Sequence, residues 1–243
     1  MSEWITGRNP IYEVLRAKRR QVNRLLIAEN VQVSGRLGEI IHLARSQHVP
    51  IEQVKRPNLD GIDPHHQGAA LSTGGYPYTS LESIVQTAES KGEPIFVLLL
   101  DQVQDPQNLG TLLRSAEAFG VHGVVLPLAR AAAVTPAVVN ASSGATELLH
   151  ITQHNLAQAM ERLKAAGGWM IGLEDSPDAQ PPEKINLKGG IGLVVGNEAS
   201  GLRRLVKEKC DLLLRLPMQG QIDSLNAAVA GSIALFLARQ ART

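Results

Sequence analysis

The chain has 243 residues, 44% of them apolar and 19% charged, which is an ordinary globular composition with enough length for one large or two small domains. Its single cysteine, Cys210, excludes a disulfide framework and a cysteine metal site within one chain, which fits a reducing cytoplasm. Polar and charged residues follow Met1 and all apolar runs are short, so we expect a cytoplasmic protein that neither is secreted nor spans a membrane.

The N-terminal part alternates between helical and strand patterns. Asn9-Pro10 is typical of a helix start, and Ser34 can cap the next helix. The pattern predicts a compact α/β domain over residues 1–76. The expected elements are helices over 9–19 and 35–48 and strands over 22–28, 49–54 and 68–72.

This first domain is also the basic part of a chain whose formal net charge is only +1. A cluster of cations can neutralise RNA phosphates, although a solvated helix face explains the charge equally well. The candidate RNA-binding residues are Arg8, Arg16, Lys18, Arg19, Arg20 and Arg24.

A polar helix between two breaker clusters predicts an inter-domain linker over residues 77–93. From residue 94 onward, unbroken apolar runs alternate with helical patterns, which indicates an α/β domain with a buried parallel sheet over residues 94–243. The expected strands cover 95–100, 123–126, 170–173 and 191–195, and the expected helices cover 109–119, 155–166 and 226–239.

The loop after the first of these strands holds one candidate pair. Ligands of parallel sheets bind beyond the carboxyl ends of the strands, where Asn108 starts a helix that presents Arg114. An arginine there can hold a phosphate as a fork, or it can simply pair with a carboxylate while Asn108 caps the helix. No magnesium site is expected at Asp101 and Asp105, because no third carboxylate is in register.

Two later loops add further candidates. The loop over residues 196–201 combines glycines, which allow a ligand to approach the backbone, with Glu198. Its structural alternative is a helix cap at Ser200. The last loop places Ser224 and Asn226 before a helix rich in small residues, where either could be a simple cap.

The three loops together resemble the TrmH/SpoU-type group of SPOUT RNA 2′-O-ribose methyltransferases. The similar segments are DPQNLGTLLRSAEAFG, LVVGNEASGL and LPMQGQIDSLNAAVA in the second domain, with GRNPIYEVL, RLLIAE and HQGAALS in the first. The resemblance covers nearly the whole chain, and it is strongest to bacterial enzymes that methylate a guanosine ribose of 23S rRNA.

The resemblance implies an α/β fold: a SPOUT trefoil-knotted, parallel-sheet catalytic domain after a small α/β RNA-binding domain of the ribosomal-protein-like type. It also implies S-adenosyl-L-methionine as cofactor, a structured rRNA hairpin as partner, no metal, and a homodimer whose sites the partner chain completes. The implied cofactor-binding positions are Gly196, Leu216, Leu225, Met218 and Leu126. The implied catalytic positions are Asn108, Arg114, Glu198, Ser224 and Asn226.

In this reading Arg114 works with the RNA phosphate on the ribose hydroxyl, while Glu198 orients the loop or Arg114. The other three catalytic positions hold Arg114 and the ribose in place. Three alternatives stay open: a tRNA 2′-O-methyltransferase, an antibiotic-resistance methylase of rRNA, and a non-catalytic, ribosome-associated RNA-binding protein. A nucleotide-dependent enzyme is disfavoured because both phosphate-loop fingerprints are absent from the sequence.

Overall fold

The computed structural model describes residues 2–129, 131–198, 200–221 and 224–242. The chain forms two compact units, unit 1 from Met1–Pro77 with Val134–Leu148, and unit 2 from Tyr78–Ala133 with Leu149–Thr243. Within the described ranges, no helix combines the length and the apolar character needed to cross a membrane.

The strands, in chain order, are β1 Glu3–Thr6, β2 Val22–Ala28, β3 Ile51–Val54, β4 Ala69–Thr73, β5 Phe96–Leu100, β6 Gly123–Pro127, β7 Ile151–His154, β8 Trp169–Leu173, β9 Ile191–Val195 and β10 Leu212–Leu214. The α-helices are α1 Arg8–Ala17, α2 Arg36–Ser46, α3 Arg56–Asp60, α4 Leu81–Lys91, α5 Pro106–Ala118, α6 Pro136–Ala141, α7 Leu156–Ala165, α8 Arg204–Glu208 and α9 Ala227–Ala241.

Unit 1 is built on a mixed sheet with the strand order β1-β4-β2-β3. Strand β4 runs antiparallel to β1 and β2, and it places Leu71 opposite Ile5 on one side and Leu25 on the other, all three fully buried. Each such side chain contributes about 1.5–3 kcal/mol by leaving water. The predicted elements of this part are confirmed, except that Gly35 precedes α2 without a side-chain cap from Ser34.

Unit 1 also contains α6 and the short 3-10 helix Ala145–Glu147. The Glu147 carboxylate is fully buried and accepts from Arg20 Nε at 3.0 Å and Nη2 at 2.8 Å, and Arg20 Nη1 donates to Glu3 at 3.1 Å. The Arg20 side chain has no exposed surface. Our assignment of Arg20 to RNA is therefore wrong, because a buried, doubly paired guanidinium stabilises the unit and is closed to phosphate.

Unit 2 is built on a fully parallel sheet with the order β10-β8-β9-β5-β6-β7, as the apolar runs predict. The first strand of this unit, β5, lies in the middle of the sheet. Strands β6 and β7 follow on one side of it, and β8, β9 and β10 lie on the other side. The order therefore reverses between β5 and β9, and this switch point is where open parallel sheets bind ligands.

The segment that we predicted as a linker contains α4, which belongs to unit 2. Ser80 caps this helix by accepting from the Ser83 N–H at 3.2 Å, and Ile84 is fully buried in the core of the unit. A Cβ on Gly123 would lie 2.5 Å from Ile84 Cγ1, so the glycine at the start of β6 is what lets α4 pack closely. The sequence reading predicted a helix at the position of α4, but it missed β1, α3, α6, β7, α8 and β10.

Candidate active site

Strands β5 and β9 end side by side, and Asp101 joins the loops that follow them. The Asp101 N–H donates to Val195 O at 2.7 Å. Its buried carboxylate accepts from the Arg203 N–H at 2.8 Å and from Arg203 Nε at 2.6 Å. Asp101 therefore anchors the β9 loop to β5 through an ion pair.

Helix α5 begins earlier than predicted, and this changes the role of Asn108. Asp105 caps the helix by accepting from the N–H of Gln107 at 3.3 Å and of Asn108 at 3.1 Å, with Pro106 at the first helical position. Because Asp105 does the capping, the Asn108 side chain stays available for other contacts.

Hydrogen bonds join the two ends of the loop that follows β9. Asn197 and Gly201 exchange backbone hydrogen bonds of 3.0 and 2.9 Å, and Asn197 Nδ2 donates to Gln102 O at 3.0 Å. A Cβ on Gly196 would lie only 2.4 Å from the Gly201 carbonyl carbon, so this crossing requires glycine. The next helix, α8, starts at Arg204, so Ser200 is not its cap.

Glu198, Asn108 and Asn226 form a hydrogen-bonded trio, which we call the amide–carboxylate trio. Asn226 Oδ1 caps α9 by accepting from the N–H groups of Ala228 and Val229, so its amide nitrogen turns toward the other two side chains. That nitrogen donates to Asn108 Oδ1 and to Glu198 Oε1, both at 3.0 Å, and Asn108 Nδ2 donates to Glu198 Oε2 at 3.2 Å. Residues far apart in sequence thus hold one carboxylate between two amides.

A cavity of about 340 Å³ opens beside this trio, at the ends of β8, β9 and β10. Its described lining combines apolar side chains with polar and charged ones, which suits a small molecule that has both kinds of surface. Leu126 lies buried within β6 and is not among the described residues that line the cavity, so the structure does not support this cofactor position. The predicted positions that do line the cavity are Gly196, Glu198, Leu216, Met218, Ser224 and Leu225.

Arg114 lies on the exposed surface of α5. At about 100° per residue, it points roughly 120° around the helix axis from Asn108. The two predicted partners therefore face different directions on one helix.

Sequence reasoning missed Glu174, which directly follows β8 and lines the cavity. Its Oε1 accepts from Lys207 Nζ at 2.9 Å. The available signal was an acidic residue directly after a buried strand.

Burial raises the pKa of the Cys210 thiol to about 12, so this thiol does not act as a nucleophile near neutral pH.

The remaining RNA-binding candidates lie on unit 1 in varied surroundings. Arg16 pairs with Glu13 at 2.7 Å, and Arg24 pairs with Glu52 at 3.4 Å, yet about half of each arginine side chain is exposed. The others are Lys18, exposed at the end of α1, Arg19, which donates to the backbone oxygens of Glu147 and Pro77, and Arg8, which contacts Gln67.

The sequence matches two families that agree with this geometry. Residues 95–236 match the SpoU rRNA methylase family, and residues 4–79 match the RNA 2′-O ribose methyltransferase substrate-binding family. YacO of Bacillus subtilis, named as a TrmH family tRNA/rRNA methyltransferase, is 39% identical over 96% of this chain and 94% of its own length. A Mycolicibacterium smegmatis protein named as a tRNA/rRNA methyltransferase is 36% identical over the whole chain and 78% of its own length.

Among solved structures, the SpoU methyltransferase AviRb of Streptomyces viridochromogenes in complex with AdoMet has the same fold. It superposes with a TM-score of 0.81 at 24% identity, over 99% of this chain and 90% of its own. Fold and loops together thus define a methyltransferase of the SPOUT class. The chain belongs to the SpoU rRNA methylase family, and it is an RNA methyltransferase that uses S-adenosylmethionine.

Proposed function

We propose that the chain methylates a ribose 2′-hydroxyl of RNA, and that its target is a guanosine of large-subunit rRNA in a structured hairpin. The observation that carries this proposal is the amide–carboxylate trio at the rim of the cofactor-sized cavity. The match of residues 4–79 to the substrate-binding family of RNA 2′-O ribose methyltransferases supports the ribose target. The trefoil knot and the cytoplasmic location stay predictions.

The cavity suits S-adenosylmethionine, which supplies an electrophilic methyl group when bound. Leu173, Leu214 and Leu216 offer apolar walls, and the Asp175 carboxylate, beside the Glu174–Lys207 pair, complements a cationic ligand. The Gly196–Gly201 crossing brings backbone to the cavity wall with no side chain between. We assign the cofactor to these groups together with Met218 and Leu225.

A ribose hydroxyl is a poor nucleophile until its proton is removed or shared. We assign Arg114 the RNA phosphate next to the target ribose, because a guanidinium binds phosphate through two parallel hydrogen bonds. The trio fixes the start of α5 and of α9, and Ser224 stands beside it at the cavity. These groups then hold the hydroxyl in place, and orientation of this kind lowers the barrier strongly.

The test is methyl transfer to an unmodified 23S rRNA transcript, with the modified nucleotide mapped by mass spectrometry. We expect one guanosine 2′-O-methyl product, and about a 1,000-fold loss of rate in Arg114→Ala with unchanged S-adenosylmethionine binding by calorimetry. Arg162→Ala, which removes an exposed arginine on α7, is the matched control.

Each other outcome rejects a stated part of the proposal. Methylation of bulk tRNA in place of the transcript rejects the rRNA target, and a methylated base rejects the ribose. Full activity of Arg114→Ala rejects its role. Absence of cofactor binding by the wild type favours the non-catalytic RNA-binding reading.

We also propose that the chain acts as a homodimer through α9. Small residues of this helix pack inside unit 2: a Cβ on Gly231 would lie 2.5 Å from Leu112 Cδ2 of α5. The exposed side carries an apolar stripe of Val229, Ile233 and Phe236, which are 45%, 38% and 49% exposed. Such a stripe on a soluble unit favours a self-complementary contact.

Sedimentation tests the dimer directly. We expect the wild type to sediment as a dimer, and Phe236→Glu as a monomer with lower activity, because a carboxylate in an apolar contact is costly. Leu205→Glu, on the exposed side of α8, is the matched control. A wild type that is monomeric and fully active at nanomolar concentration contradicts the dimer.

A further inference from the structure

Unit 1 contains a second cavity, of about 510 Å³, which no part of the proposed reaction uses. This volume lies within the usual range of about 300–1,000 Å³ for ligand pockets. We call it the unit 1 pocket. The residues whose side chains bear on its chemistry are Arg8, Glu29, Asn30, Arg56, His66 and Gln67.

One wall of the unit 1 pocket is a turn that a buried histidine holds. His66 Nδ1 accepts from the Gly68 N–H at 2.8 Å, so its Nε2 carries the proton and donates to Asp60 at 3.1 Å. The turn places Gln67 at φ 51°, and across the pocket Asn30 has φ 58°. Left-handed non-glycine residues cost about 1 kcal/mol or more each and cluster at ligand sites.

The same turn positions an arginine. Gln67 Oε1 accepts from the Arg8 backbone N–H at 3.0 Å, which caps α1 where Gly7 cannot, and Arg8 Nε donates to Gln67 O at 3.2 Å. Neither terminal nitrogen of Arg8 donates to a described residue. The guanidinium is therefore oriented at one end while its outer edge stays available.

Arg56, at the start of α3, brings a second guanidinium to the pocket. It is exposed and forms no ion pair with any residue that the structure describes. Two arginines facing one cavity, with only Glu29 as a carboxylate in its lining, create a site for an anion. The described lining contains no Phe, Tyr or Trp, and the His66 ring is held by its hydrogen bonds to Gly68 and Asp60, so we assign the stacking of a base to a guanidinium plane.

We propose that the unit 1 pocket binds one unpaired nucleotide of the RNA substrate. Its phosphate binds Arg8 and Arg56, and the polar edge of its base meets Glu29 and Asn30, which offer both acceptors and donors. The assignment rests on RNA being the substrate, and it adds a site that binds a nucleotide other than the methylated one.

The experiment uses the full chain and two probes, an unmodified 23S rRNA transcript and bulk tRNA, each titrated at several salt concentrations. For whichever RNA the wild type binds, we expect Arg56→Ala to weaken binding about tenfold and to lower the salt slope by about 1. The KM for RNA rises while kcat stays, and calorimetric affinity for S-adenosylmethionine is unchanged. Arg45→Ala, an exposed arginine on α2 outside the pocket, is the control and leaves all these values unchanged.

A second variant tests the base separately from the phosphate. Glu29→Ala is expected to weaken binding of the same RNA with no change in salt slope, because it removes no phosphate contact. The proposal is overturned if Arg56→Ala binds RNA as the wild type does, or if Arg45→Ala is equally impaired. If the wild type binds only tRNA, the rRNA target is rejected and the same variants are compared on tRNA. If the wild type binds neither RNA, both the proposed RNA substrate and the assignment of the pocket are overturned.

Discussion

Two carboxylates, one in each unit, show how the same chemistry serves different ends. Glu147 in unit 1 and Glu198 in unit 2 both accept hydrogen bonds from nitrogen donors brought from distant parts of the chain. Glu147 is fully buried and meets the full charge of Arg20, whereas Glu198 is exposed and, among the described residues, accepts hydrogen bonds from neutral amides. An enclosed ion pair holds a fold together, while an open, neutral network leaves a site that can meet a substrate.

The largest effect should come from breaking the enclosed pair. Glu147→Ala leaves Arg20 buried with Glu3 alone, and such a loss costs about 3–5 kcal/mol. We expect urea unfolding to show this loss while S-adenosylmethionine affinity of the folded protein stays as in the wild type. Glu39→Ala, which breaks an exposed pair with Arg36, should change stability by less than about 1 kcal/mol. A loss below 1 kcal/mol for Glu147→Ala would remove the contrast between the two carboxylates.

The open network should show the opposite pattern, with activity lost and stability kept. Glu198→Gln places an amide among amides, so at least one donor loses its acceptor and the trio shifts. We expect a fall of about 10- to 100-fold in kcat, because small misplacements at a reacting centre have effects of this size. Glu117→Gln, exposed on α5, is the control. The functional reading of the trio fails if kcat holds while the unfolding free energy falls.

The smallest effect concerns His122, a buried group in unit 2 whose carboxylate partner, Glu93, is about half exposed. Burial lowers the pKa of His122, against the opposing effect of its hydrogen bond to Glu93 at 3.1 Å, and its Nδ1 accepts from the Phe96 N–H at 2.9 Å. The unfolded chain therefore binds the proton more readily, so stability falls as pH drops below about 6.5.

Unfolding measured between pH 7 and pH 5 should reveal this group. We expect the wild type to lose more stability than His122→Asn, whose amide oxygen can still accept from Phe96. His42→Asn, which changes an exposed histidine on α2, is the matched control. Equal pH dependence in the wild type and His122→Asn would show that another group is responsible.

The sequence by itself determined most elements of both units and the fully parallel sheet of unit 2, because apolar periodicity reports burial directly. It also marked Glu198 by its place after a strand and Asn226 by its place before a helix. It wrongly assigned residues 77–93 to an inter-domain linker, because the charged residues on the outer face of α4 obscure the apolar pattern of the face that is buried around Ile84. It likewise predicted that Arg20 is an exposed cation, because no local sequence pattern around position 20 indicates an ion-pair partner at position 147.

Only the tertiary structure decided which of these residues meet. The trio joins three loops that are 28 to 118 residues apart, and Asn108 takes part because Asp105 caps α5 in its place. The switch between β5 and β9 brings those loops together, and strand order is a long-range property that local patterns do not encode. For the same reason, only the packing of α9 against α5 shows that the side of α9 around Gly231 faces the core, whereas Phe236 lies on its exposed side.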